Sequence, residues 1–174
     1  KYYRCQVICT ASADTAYSTP VQVTMGDGCV CGAYPAVYAN YTGDEDITNV
    51  TVGTMNNSST CGTTAPGPGS LNQRYANYTG SVAGPSAMQT QPVPFSLTMT
   101  TCGGTYGNGF GIYIDWNQDG DFADAGETAY AQAVNASGSQ TVTGSITVPA
   151  TATLGNTRMR VVNVEGFSSS TNYG

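Results

Sequence analysis

The chain has 174 residues, a formal net charge of −6 and only five basic residues, Lys1, Arg4, Arg74, Arg158 and Arg160, which form no patch. This excludes a nucleic-acid partner, whose phosphates would be repelled, and no apolar run reaches the length of a membrane span. Charged residues make up 9% of the chain, against about 25% in ordinary globular proteins, yet 40% are apolar, with many β-branched or aromatic, so the composition predicts a folded, all-β protein rather than disorder.

In chain order, Tyr3, Cys5, Val7 and Cys9 alternate with Tyr2, Arg4, Gln6 and Ile8, and Val21, Val23 and Met25 alternate with Gln22 and Thr24. These are strand signals. Gly26-Asp27-Gly28 then breaks the pattern, so residues 1–25 read as a two-strand extension separate from a main body over 26–174. Ile47, Val50 and Val52 mark a strand near 45–53, and the Asn-, Ser-, Thr-, Gly- and Pro-rich stretch 56–70 reads as a loop. Alternation returns at Val93–Met99, at Phe110–Trp116, at Val142–Val148 and at Met159–Val164. Short strands separated by turn residues predict an antiparallel β-sandwich of jelly-roll or immunoglobulin-like type. Tyr38-Ala39-Asn40-Tyr41-Thr42-Gly43 recurs as Tyr75-Ala76-Asn77-Tyr78-Thr79-Gly80, a repeated local element too short to be a repeated domain.

Six cysteines, Cys5, Cys9, Cys29, Cys31, Cys61 and Cys102, accompany no histidine and no Cys-x-x-Cys pair. That speaks against zinc and for disulfides in an extracytoplasmic compartment. Cys5 and Cys9, about 13 Å apart in an extended strand, are too distant to bond each other. We expect that pair to bond Cys29 and Cys31, and Cys61 to bond Cys102; the alternative is that some stay free or bond another chain. Asn40, Asn49, Asn56, Asn57, Asn77 and Asn135 head Asn-x-Ser/Thr sequons, and Asp14-Thr15-Ala16 resembles a bacterial O-glycosylation site at Thr15.

Five of the eleven acidic residues fall between 115 and 127. Such crowding is unfavourable without a neutralising cation. Asp115, Asn117 and Asp119 alternate, Gly120 permits a sharp turn, and Asp121 follows. Hard oxygens at this spacing suit Ca2+, which takes 6–8 oxygen ligands, better than Mg2+, which keeps more water. An EF-hand would place a glutamate at the twelfth position of such a loop, where Gly126 stands; Glu127 comes one later, and a strand rather than a helix leads in. The expectation is a calcium loop at a strand end, closed by Glu127, with Asp124 as a further ligand or supporting partner. The competing reading is a metal-free turn rich in Asx residues. The lack of histidine and of a Gly-x-Ser-x-Gly elbow leaves no catalytic constellation, so no enzyme is expected.

Ile47-Thr48-Asn49-Val50, Tyr75 to Thr79, Ile112-Tyr113-Ile114-Asp115-Trp116-Asn117-Gln118-Asp119-Gly120-Asp121-Phe122, Gly126-Glu127, Ile146-Thr147-Val148-Pro149 and Gly155 to Val161 resemble the GEVED domain, a β-sandwich module of large secreted bacterial proteins. The resemblance spans about residues 30–174 and implies a cell-surface setting. It also implies a Gly-Glu-Val-Glu-Asp motif beyond Asn172-Tyr173-Gly174, hence a sandwich short of its final strand. Residues 2–25 resemble the last two strands of an immunoglobulin-like domain. Either this is a segment of a longer chain, or a subunit completed by a strand from a copy of itself, giving a filament. The functional expectation is a calcium-stabilised, glycosylated structural or adhesive module of a surface fibre. The alternative is a carbohydrate-binding accessory module, with Tyr34, Tyr38, Tyr41, Tyr75 and Tyr78 as a sugar platform.

Overall fold

The computed structural model describes residues 2–3, 6–8, 15–17, 21–22, 34–36, 39, 43–72, 74–132 and 136–174. They fall into two compact units, 1–31 and 32–174. Among the described residues every regular element is a β-strand, and all pairings are antiparallel.

In the first unit the run 2–9 holds two strands and the run from Val21 one, with a further strand before it over 15–17. β1 (Tyr2–Tyr3) pairs β4 (Val21–Gln22), and β2 (Gln6–Ile8) pairs β3 (Thr15–Tyr17). The two ladders are out of register with each other by one residue.

The second unit is a sandwich. Its larger sheet has the order β11-β7-β5-β6, from β5 (Glu45–Val52), β6 (Met55–Ser58), β7 (Pro92–Thr101) and β11 (Gln140–Thr147). Its smaller sheet is centred on β8 (Gly107–Ile114), with β12 (Met159–Glu165) along one edge and β9 (Thr128–Ala131) and β10 (Ala136–Ser137) along the other. The predicted alternations set the inward faces. Val93, Phe95, Leu97 and Met99 of β7 meet Phe110, Ile112 and Ile114 of β8 in one core, closed by Ile146, Val148 and Ala152. Burying each such side chain stabilises the fold by about 1.5–3 kcal/mol before entropy is counted.

Two departures from simple alternation have local causes. Ile47 and Val50 both point inward although they are three apart, because a register shift between Ile47 and Asn49 leaves Thr48 as the extra residue of a β-bulge. Part of the stretch read as a loop is strand β6, joined to β5 by the two-residue turn Gly53-Thr54. Gly53 sits at φ 54°, as the first position of such a hairpin turn requires. The Asn and Ser of β6 hid it, since as an edge strand it has little apolar face to show.

β8 is buried along nearly its whole length, on both faces. Its outward residue Tyr113 lies back across Gly111, where an added Cβ would come within 2.7 Å of the ring. Tyr113, Phe122, Val162 and Phe167 form a second apolar cluster, with Tyr34 and Tyr173 packed against it. This outer layer seats the loop that follows β8.

The Cys61–Cys102 disulfide, with Cα atoms 5.7 Å apart, joins the chain after β6 to the end of β7. Its 41-residue separation is long, so the cross-link removes much unfolded-state freedom. Replacing both cysteines by serine is expected to lower stability by about 4 kcal/mol, the chain-entropy value for such a loop. Urea unfolding reads this as a lower midpoint; an unchanged midpoint would show that the bridge constrains little.

Candidate loop site after strand β8

Asp115 closes β8 and opens the loop. Its side chain is fully buried, and both carboxylate oxygens point back into the turn it starts. Oδ1 accepts the backbone N–H of Gln118 at 2.6 Å and of Asp119 at 3.2 Å. Oδ2 accepts the N–H of Gly120 at 3.1 Å and the hydroxyl of Tyr34 at 2.6 Å. A carboxylate offers about four lone-pair sites, so these four bonds use its capacity. The chain wraps around the carboxylate because Gln118 and Gly120 adopt left-handed backbone, at φ 65° and 99°. The Asp115 backbone is held too, its N–H by Arg158 O and its carbonyl by the Thr157 hydroxyl. Tyr34 in turn packs on Phe122 at 5.1 Å, with the Arg158 guanidinium 4.9 Å from its ring centre.

Glu127 frames the other end. It is 1% exposed; Oε1 accepts the Trp116 N–H at 2.9 Å and Oε2 the Asp124 N–H at 3.2 Å. Burial pushes its carboxyl above the ordinary range, the backbone N–H groups of Asp124, Trp116 and Asn117 oppose this, and the Asp115 charge adds to the rise. Trp116 Nε1 donates to Gly126 O at 3.1 Å, and Ile114 N to Glu127 O at 2.9 Å, so the loop neck is stitched across. From outside, Thr153 clamps it: its N–H donates to Trp116 O and its hydroxyl to Asn117 O.

Between these two buried carboxylates the remaining acidic groups crowd at the surface. Asn117 Oδ1 accepts from Asp119 N, Asp119 Oδ1 from Asp121 N, and Asp121 Oδ1 from Ala123 N, three successive Asx turns. Asn117 Nδ2 donates to Asp119 Oδ2 at 3.0 Å and to Asp124 Oδ2 at 2.6 Å. Asp119, Asp121 and Asp124 each place a carboxylate oxygen within 4.8 Å of the others. This is a hard, all-oxygen donor set, and it fits a hard divalent cation. The six residues expected as one shell are thus divided. Asp119, Asp121, Asp124 and Asn117 come together, whereas Asp115 and Glu127 lie beneath them and hold the loop's own N–H groups. An open cleft of about 300 Å3 lies beside the loop, lined by Trp116, Asn117, Asp124, Glu127, Pro149 and Thr151.

The other predicted sites scatter. Tyr34 belongs to the loop frame; Tyr75 and Tyr78 are half-buried, and Tyr75 forms a bridge with Leu71. Tyr38, Tyr41, Cys5, Cys9, Cys29, Cys31, Asn40 and Asn135 lie outside the described residues. Thr15 and Asn56 are exposed, while Asn49, Asn57 and Asn77 are half-buried. Asn49 Nδ2, the atom a glycan would join, donates to Asn56 Oδ1 at 2.7 Å and to Ser58 Oγ at 2.9 Å. Sequence reasoning missed the tie from Tyr34 to Asp115, 81 residues away; nothing local signals it. It also missed the buried Asn108, whose Oδ1 accepts Gln140 Nε2 at 2.8 Å and joins the two sheets.

The family model of the GEVED domain matches residues 109–174, which contain most of β8, the loop and strands β9 to β12. The resemblance therefore stands for that stretch. GEVED domains are typical of extracellular bacterial proteins. No curated protein and no solved structure matches the chain. Among the described residues no helix is long and apolar enough to cross a membrane.

Asp115→Ala leaves three backbone N–H groups without their acceptor, so it is expected to cost at least about 3 kcal/mol. Tyr34→Phe removes a single bond to a charged group and should cost about 1.5–3 kcal/mol. Denaturant unfolding of both variants checks the ranking; a Tyr34→Phe protein as stable as the parent would mean that the Asp115–Tyr34 bond contributes nothing net.

Proposed function

We propose that the chain is a non-enzymatic structural and adhesive module of a bacterial cell surface, rigidified by calcium and joined to copies of itself in a fibre. The observation that carries the calcium part is the approach of Asp119, Asp121 and Asp124 within 4.8 Å. Three carboxylates so close repel one another unless a cation sits among them. Asp119, Asp121 and Asp124 would hold the ion. The ion would supply positive charge and tie three turns of one loop together. Asp115 and Glu127 prepare the loop for it by fixing the backbone from which those side chains project. The absence of histidine and the engagement of both buried carboxylates by backbone N–H groups support a non-catalytic role.

The fibre part draws on sheet topology. Among the described residues β12 pairs with β8 alone, so its outer edge is open to strand addition by a neighbouring copy. Strand exchange of this head-to-tail kind, if the rotation does not close, propagates as a filament.

Calcium at 100 times its dissociation constant should add about 2.7 kcal/mol, which for a domain of this size raises the Tm by roughly 5–11 °C. Scanning calorimetry in calcium and in EGTA reads the shift. Asp119→Asn with Asp121→Asn should abolish it while the EGTA Tm stays near the parent's. An equal Tm in both buffers counts against a bound ion. Electron microscopy of the native material tests the fibre; monodisperse single particles would sink that half of the reading.

A further inference from the structure

The cleft beside the loop shares Asn117 and Asp124 with the calcium reading and adds Trp116, Pro149 and Thr151, which that reading does not use. Trp116 is the only tryptophan of the chain and lines the cleft with Pro149, while Asn117, Asp124 and Thr151 bring an amide, a carboxylate and a hydroxyl to its walls. We propose that this cleft binds one unit of a neutral saccharide. That this is the module's adhesive contact rests on the adhesive part of the function proposed above; the binding itself does not.

Trp116, half-buried and packed against the core, lines the cleft beside polar groups, and an aromatic side chain next to such groups suits a sugar ring. Its C–H face stacks on the indole, and its hydroxyls donate to a carboxylate and exchange hydrogen bonds with an amide and a hydroxyl. The indole is held in place for this. Its Nε1 is bonded to Gly126 O and its backbone N–H to Glu127 Oε1, so little ordering remains to be done on binding. Asp124 is oriented by the Asn117 amide at 2.6 Å. Asp124, Asn117 and Thr151 are all solvent-exposed, so a ligand can reach them. At about 300 Å3 the cleft is at the small end of ligand sites, the size of a ring or two rather than a long chain.

Charge narrows the class. With no ion on Asp124, the carboxylates at the walls and a net charge of −6 disfavour uronic acids, sialic acids and phosphates. A cationic ligand would find less than the count of acids suggests, because the Glu127 oxygens already serve the N–H groups of Trp116 and Asp124. One oriented carboxylate beside an amide and a hydroxyl matches vicinal hydroxyls better than an ammonium. The expected tyrosine platform is a weaker alternative, since Tyr34 is committed to Asp115.

The test is NMR titration of the whole chain. The single tryptophan makes the indole N–H resonance self-assigning. Methyl glucoside, methyl mannoside, methyl galactoside and N-acetylglucosamine are each added to saturation, with glucuronate and choline as charged controls, in calcium and in EGTA. At least one neutral sugar should shift the Trp116 indole signal saturably, and glucuronate should not. Asp124→Ala and Thr151→Val should each weaken binding, by about tenfold for the charged contact and less for the hydroxyl. Thr151→Val lies outside the acidic cluster and reads the cleft alone, and Asp124→Ala is read in EGTA, where no ion is bound. No saturable shift with any neutral sugar, tighter binding of choline, or parent-like affinity in both cleft variants would overturn the proposal. Sugar binding without filaments would sink the fibre reading alone, and filaments without sugar binding would sink this one alone.

Discussion

A buried carboxylate organises this domain. Asp115 stands where a core strand ends, with no solvent around it, and an unpaired charge there would cost several kcal/mol. Its two oxygens are matched by three backbone N–H groups and the Tyr34 hydroxyl. Those partners come from a turn that exists only because the chain curls around the carboxylate, and from a residue 81 positions earlier. The charge and the turn therefore stabilise each other, and neither has a favourable alternative. Glu127 repeats the arrangement at the far end of the loop, with Trp116 and Asp124 as its donors.

From that frame outward, the structure builds in layers. The inward face of β8 belongs to the sandwich core, and its outward face carries Tyr113 under Phe122 and beside Phe167. Phe122 lies in the same loop that Asp115 starts. Packing of the outer layer and hydrogen bonding around the carboxylate are thus two ends of one short segment. The Tyr173 N–H on the Tyr113 hydroxyl and the Asn172 amide on Phe122 O bring the chain near 172–173 onto the same patch. What is left at the surface of the loop is a group of carboxylate oxygens of the hard kind.

The larger sheet solves a different problem. Apart from Asp46, opposite Thr100, its outer face carries uncharged side chains: Asn49, Thr51, Asn56, Ser58, Ser96, Thr98, Thr141 and Thr143. Cross-strand neighbours hydrogen-bond one another, as Thr98 Oγ1 does with Thr141 Oγ1 at 3.0 Å and Thr48 Oγ1 with Thr100 Oγ1 at 2.7 Å. Short hydroxyl and amide side chains keep a solvated face polar without charge, and their β-branching suits the pleat. This is how a chain with 9% charged residues keeps a wetted face.

The sequence alone marked β5, β7, β8, β11 and β12 by their runs of apolar residues at strand-like spacing, although β5 carries a bulge and β8 is buried on both faces. It also determined that the acidic stretch 115–127 is special, since five acids among thirteen residues need an explanation whatever the fold. Strands β6, β9 and β10 were illegible, being short edge elements with little apolar face to mark them. The division of labour within the loop was illegible for a deeper reason. Spacing places six oxygen-bearing side chains near one point but does not say which of them solvent reaches. Tertiary structure decided that by covering β8 with Phe122 and Tyr34. It buried Asp115 and Glu127, gave them to the backbone, and left Asp119, Asp121 and Asp124 at the surface. Burial is set by what packs on top, and what packs on Asp115 comes from far along the chain.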